Sequence, residues 1–244
     1  MHPFVVDDSV PMEDEIEWAV TQLRNHRSGG PSGMRAEHLK RWLVTARNSE
    51  KEKAEKVETT TERAGMTENG ETSAEKSEKE AENWTMVEDL IHLALREVNL
   101  TEEATWQAVV LITKGNTDYR GIGLVEVMWK AVAAILNRRL TASITFHDFL
   151  HGFLAGRGTG TVTLDAKMLQ KLATLREEVL YMIFLDLHKA YDALDRSRCL
   201  DILEGYGMGA QARRLLQTYW RRLTMVARSG GYYETAFKGE RGVT

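Results

Sequence analysis

Asp186 closes the unbroken apolar run Val179-Leu180-Tyr181-Met182-Ile183-Phe184-Leu185. A run this short and this apolar reads as a strand buried on both faces, which leaves its terminal carboxylate desolvated on one side and open on the other. A carboxylate so placed suits Mg²⁺, a hard cation that takes oxygen ligands and keeps several of its waters, and the Leu187 carbonyl is adjacent to assist. The competing reading is a strand-end Asp whose oxygens accept backbone N–H groups. Asp192 and Asp195 follow within ten residues, and Asp195, just before Arg196-Ser197, reads as the N-cap of a helix over 196–204. Arg157 lies in a glycine-rich loop at 152–160, where a permissive backbone either brings a guanidinium to a phosphate or simply turns the chain. Cys199 is the sole cysteine and reads as a small core residue on its helix.

The elements that must position these groups follow from periodicity. Ile16, Ala19, Val20 and Leu23 mark one face of a helix over 12–25, and Leu39, Trp42 and Leu43 mark another over 35–47. Between them runs the loop Ser28-Gly29-Gly30-Pro31-Ser32-Gly33. Val87, Leu90, Ile91, Ala94, Leu95 and Val98 form a third helical stripe, and Met128, Ala131, Val132, Ile135 and Leu136 a fourth. The β-branched run 106–113 predicts a strand. Helices are predicted over 161–177, 196–204 and 210–222, and a hairpin around Ser229-Gly230-Gly231. The fold class is α+β, with 179–186 expected at the centre of a small antiparallel sheet.

Residues 50–82 differ in kind. They hold 11 acidic and 6 basic side chains, and no aromatic lies between Trp42 and Trp84. So little apolar surface cannot offset the entropy of ordering, which predicts a disordered or charged insertion, with any helical turns held by pairs such as Glu52/Lys56. The whole chain has 244 residues, 43% of them apolar, and a net charge of −4, enough for a real core. One cysteine excludes a disulfide scaffold or a cysteine zinc cluster. No apolar run approaches the ~18–20 residues of a membrane helix and no signal core opens the chain, so no membrane partner and an intracellular location, cytoplasm or nucleus, are expected. Residues 196–244 carry 9 basic and 4 acidic groups, and Arg213, Arg214, Arg221, Arg222 and Arg228 suggest a polyanionic partner.

The string Phe184-Leu185-Asp186-Leu187-His188-Lys189-Ala190-Tyr191-Asp192-Ala193-Leu194-Asp195-Arg196 resembles motif A of reverse transcriptases, especially those of non-LTR (LINE-like) retrotransposons and their group II intron relatives. Further blocks resemble that family in order. They are Ser28 to Met34 with Glu37-His38-Leu39-Lys40; the run from Trp106 to Lys114-Gly115 with Asp118-Tyr119-Arg120; His151-Gly152-Phe153 with Gly156-Arg157-Gly158-Thr159; and the final stretch from Phe237 to Thr244. Gly121 stands where the family usually has Pro, Thr113 where Pro often precedes the Lys, and His151 near the usual Gln. The family's Gln-Gly-x-Pro-Leu-Ser-Pro segment and its aromatic-x-Asp-Asp hairpin are not in this sequence.

What the resemblance implies is a helix-rich polymerase fingers region with a partial palm: 1–49 as upstream fingers helices, 50–83 as the insertion, 84–178 as fingers and 179–244 as partial palm. It implies RNA-directed DNA polymerisation with Mg²⁺, an RNA template, a DNA primer and a dNTP. Asp186 and the Leu187 carbonyl would face the metal, Lys114 and Arg120 would hold the triphosphate, and Tyr191 would lie under the sugar and exclude a ribose 2′-OH. All four side chains are expected around one cleft. Two-metal phosphoryl transfer needs carboxylates from both palm strands, so this chain alone is expected not to polymerise. The alternative is a non-catalytic retroelement remnant that at most binds nucleic acid non-specifically.

Overall fold

The structure, a computed structural model, describes residues 6–56, 73–115, 118–229, 232–239 and 241–242. The chain divides into two compact units, one made of Met1–Ser143 with Tyr191–Thr244 and the other of Ile144–Ala190. The larger unit carries α1 (Glu13–Gln22), α2 (Ala36–Lys56), α3 (Ser73–Glu97), a 3₁₀ turn (Glu103–Thr105), β1 (Trp106–Lys114), β2 (Asp118–Val125) and α4 (Val127–Ser143). The smaller unit carries α5 (Thr159–Leu175). The larger unit then resumes with α6 (Arg196–Gly205), α7 (Ala210–Arg222), β3 (Thr224–Ser229) and β4 (Tyr232–Phe237).

Helical stripes build the core of the larger unit. α1 opens with Glu13, Asp14 and Glu15 at its positive end and buries Ile16, Ala19 and Val20. Leu39 and Leu43 of α2, Val87 and Ile91 of α3, Ile135 of α4 and Leu215 of α7 are all buried with them. Trp129 of α4 stacks on Tyr219 of α7 with ring centroids 3.7 Å apart and planes 4° from parallel. Arg139, buried on α4, is satisfied: it pairs with both oxygens of Glu15 at 2.8 and 2.5 Å and donates to the carbonyls of Asp7 and Ser9. Asp8 accepts from the Gln211 and Ala212 amides at the start of α7. The N-terminal segment thus ties α4 to α7.

The sheet runs in the order β2-β1-β3-β4. β1 and β2 form an antiparallel hairpin, in register from Gln107↔Val125 to Lys114↔Asp118. β3 and β4 form a second, with an irregularity between Val226 and Arg228. β1 pairs with β3 in parallel, Trp106↔Thr224 to Val110↔Arg228. The sheet is therefore mixed rather than antiparallel, because the two hairpins meet along inner strands that run the same way.

The expected strand at 179–186 is not formed. Residues 178–187 have no regular structure, and Ile183, Phe184 and Leu185 are 86%, 86% and 91% exposed. A buried strand must pair its N–H and C=O groups. Every strand pair among the described residues lies in the larger unit, so the smaller unit offers this run no ladder to join. Apolar composition alone does not make a strand without a ladder to join.

The helices flanking the charged segment reach into it, α2 to Lys56 and α3 from Ser73. They are joined by Thr45 donating to Glu80 at 2.7 Å and by the Arg41–Glu80 ion pair at 2.9 Å. Positions 57–72, the middle of the expected insertion, lie outside the described residues. No helix among the described residues is long and apolar enough to cross a membrane.

Candidate functional site

The β1–β2 hairpin positions two of the expected site residues. Ile112 pairs with Arg120 and Lys114 with Asp118. Directly opposed residues share a face and alternate residues return to it, so Lys114 and Arg120 stand on one face as diagonal neighbours, about 7–8 Å apart by strand geometry. Both are exposed. Gly115, which follows Lys114, has φ +75°, a left-handed value that glycine takes without a Cβ penalty, and this turns the chain away from β1.

Tyr191 is 47% exposed at the start of the second stretch of the larger unit. Its neighbourhood is held from behind. The Gly242 amide donates to the Leu194 carbonyl at 2.9 Å, and a Cβ on Gly242 would stand 3.0 Å from the Tyr191 carbonyl oxygen. Arg196 fastens the same crossing by donating to the carbonyls of Gly242, Trp220 and Gly239 at 2.7, 3.2 and 2.7 Å. Asp195 caps α6, accepting from the Ser197 and Arg198 amides at 3.0 and 3.1 Å. The Arg198 amide chief among these donors holds its carboxyl below the usual carboxylate value. The N-cap predicted for Asp195 is therefore present.

Asp186 and Leu187 belong to the smaller unit, on the exposed irregular run. Among the described residues no group of three His, Cys, Asp or Glu side chains is arranged to hold a metal ion. Asp186 with the Leu187 carbonyl leaves most of the six positions around Mg²⁺ to water, too few protein ligands for a firm site. In the same unit Arg157 is already engaged. Its Nη1 donates to the carbonyls of His147, Asp148 and Leu150 at 2.9, 3.0 and 2.9 Å, so it braces its own loop. His151 Nδ1 lies 2.8 Å from Thr161 Oγ1, and its Nε2 is 2.9 Å from Asp165 but without a hydrogen bond's alignment.

The C-terminal arginines are mostly committed as well. Arg213 pairs with Glu204 at 2.7 Å, Arg222 donates to the Leu100 carbonyl at 2.8 Å, and Arg228 lies over the Tyr233 ring at 5.8 Å. Arg214 and Arg221 remain exposed. The structure thus brings Lys114 and Arg120 together, sets Tyr191 on another stretch of the same unit, and carries Asp186 and Leu187 in the other unit.

A feature the sequence did not single out is Glu126, between β2 and α4. It is 5% exposed, and the glycine loop wraps it: the Ser32 amide and hydroxyl donate to its two oxygens at 2.7 and 2.6 Å. A Cβ on Gly30 would come within 2.6 Å of that carboxylate, so only glycine lets the loop close on it. Tyr233 of β4 donates to the Pro31 carbonyl at 3.3 Å and fastens the loop from the far side. A lone Glu beside a strand gave no signal in the sequence, because its partner lies 94 residues away.

In comparison with known proteins, no family model matches the chain, and no curated protein shows a significant match to it.

Proposed function

We propose that the chain carries the nucleotide-holding fingers and the first part of the palm of an RNA-directed DNA polymerase of a retroelement. The observation that carries the reading is the common face of Lys114 and Arg120 on the β1–β2 hairpin, where two cations can take adjacent phosphates of a dNTP. Arg120 suits this through its forked guanidinium, and Lys114 as a point charge. The order of the sequence blocks supports the same reading. On it, Tyr191 reads the sugar, Asp186 with Leu187 faces Mg²⁺, and the partners are an RNA template and a DNA primer.

A second reading is favoured by one observation. The run that carries Asp186 is exposed and unpaired, which suits a non-catalytic remnant that binds nucleic acid non-specifically.

Equilibrium binding of a fluorescent dNTP, with Mg²⁺, separates the two. A charge-assisted contact contributes about 1.5–3 kcal/mol, so Lys114→Ala and Arg120→Ala should each weaken dNTP binding about tenfold or more. Equal binding by wild type and both variants would refute the hairpin as a triphosphate holder and leave the remnant reading. Primer extension on an RNA template, compared with Asp186→Ala, tests the chemistry itself.

A further inference from the structure

A cavity of about 310 Å³ opens between the end of α1, the glycine loop, the start of α2 and the first turn of α4. Its wall carries four cations, Arg24, Arg27, Arg35 and Lys130, and its lining includes no Asp or Glu. Leu23, Met34 and Val127 supply an apolar floor. The guanidinium groups of Arg24, Arg27 and Arg35 make no hydrogen bond or ion pair among the described residues.

The acids nearest this wall are occupied elsewhere. Glu37, whose charge Arg35 feels, accepts from the His26 amide at 2.5 Å. Glu126, which attracts Lys130, is held by Ser32. Burial nonetheless pushes the Lys130 ammonium below its ordinary value, with Glu126 only partly opposing the shift. Its one hydrogen bond is a long one to the Ser28 carbonyl at 3.4 Å. Ala36, the first residue of α2, also lines the cavity and adds the positive end of a 21-residue helix. Like charges gathered without counter-ions repel one another and cost stability, so this wall is arranged for something other than the fold.

We infer that this cavity is an anion site for a ligand bearing two or more phosphate charges, its phosphates held by Arg24, Arg27, Arg35 and Lys130 and its apolar part against Leu23, Met34 and Val127. The ligand is either a small polyphosphate or the phosphodiester backbone of a single strand. The site is separate from Lys114 and Arg120 and does not depend on the polymerase reading.

The test is calorimetric titration of the full chain with inorganic pyrophosphate and, in a second arm, with a ten-nucleotide single-stranded RNA. The comparison is with a triple variant, Arg24→Gln, Arg27→Gln and Arg35→Gln. All three side chains are exposed, so the variant should fold, and circular dichroism confirms it. A second control replaces the same three residues with Lys. Pyrophosphate should bind wild type and the Lys variant, and at least tenfold more weakly the Gln variant. The difference between wild type and the Gln variant should persist in a Lys114→Ala, Arg120→Ala background, where the hairpin no longer contributes phosphate contacts. If RNA occupies the site, pyrophosphate should compete with it, and the slope of log K against log salt should flatten by about 2 in the Gln variant, at ~0.7 per phosphate contact. RNA binding untouched by the Gln variant, with pyrophosphate binding lost, assigns the site to small polyphosphates. No pyrophosphate binding by wild type, equal binding by the Gln variant, or no effect of the three Gln replacements in the Lys114→Ala, Arg120→Ala background overturns the inference.

Discussion

Glu88 on α3 should destabilise the protein at neutral pH, and its replacement by Gln should show this directly. Burial, with the Glu13 carboxylate adding to it, pushes the Glu88 carboxyl from its ordinary 4.5 up to about 6, and its Oε1 is buried without a hydrogen-bond partner. Below pH 4.5 the group is protonated in both folded and unfolded chains and carries no penalty. Between 4.5 and 6 the unfolded chain releases its proton first. Above 6 both forms are ionised and the cost of keeping the charge in the fold is complete. Wild type therefore loses stability as pH rises through that window. A shift of 1.5 units corresponds to ~2 kcal/mol at 1.36 kcal/mol per unit. Glu88 is only half-buried, and solvent screening reduces this to about 1 kcal/mol. Urea denaturation of wild type and Glu88→Gln at pH 4 and pH 8 measures it. The two should match at pH 4, and the variant should be more stable by about 1 kcal/mol at pH 8, or about 2–4 °C in Tm for a unit of this size. A difference independent of pH, or a less stable variant at pH 8, would refute the assignment.

Gly30→Ala should destabilise by about 1–3 kcal/mol, since its Cβ would press on the Glu126 carboxylate and backbone; thermal denaturation reads the loss. Asp195→Ala should speed amide exchange at Ser197 and Arg198 while leaving α7 protected, because the cap acts only on the first turn of α6. The stabilisation from the Asp195 carboxylate, whose pKa is lowered in the fold, should be present above its ordinary value of 3.8 and fall away as pH drops through the folded value. Amides of 179–187 should exchange without protection, since they join no ladder; protection equal to that of α3 would overturn their placement.

Helices were legible in the sequence because their signal is local. Ile16, Ala19 and Val20, or Val87, Ile91 and Ala94, carry the 3.6-residue period whatever they pack against, and α1, α3, α4, α6 and α7 appear close to where that period places them. One hairpin was legible for the same reason, since Ser229-Gly230-Gly231 announces a turn; β2 (Asp118–Val125) was not foreseen, because Gly121 and Gly123 interrupt its strand signal. The run 179–186 misled because apolarity shows only that a segment would bury well. Whether it does so depends on a partner strand elsewhere, and no period reports that. The cationic cavity escaped notice because Arg24, Arg27 and Arg35 average out against the acids of residues 1–49, and Lys130 comes from a helix nearly a hundred residues later. Of the candidate site, Lys114 and Arg120 were singled out by resemblance alone, and their shared face came only with the register of β1 on β2; that Asp186 falls in the smaller unit needed the fold.

The parallel bond between β1 and β3 has a consequence for synthesis. Val110 must wait for Arg228 before the inner edge of the first hairpin is covered. At ~5–20 residues per second a ribosome takes roughly 6–20 s to make the intervening chain. During that interval β1 offers a bare edge bearing Val109, Val110 and Leu111 to any strand nearby. The helices have no such delay, because α1, α2 and α3 are complete before β1 emerges. The nascent protein is thus a helical cluster carrying an open two-stranded ribbon. Slowing elongation across 126–223 should raise co-translational aggregation, while supplying β3 and β4 as a separate peptide should lower it.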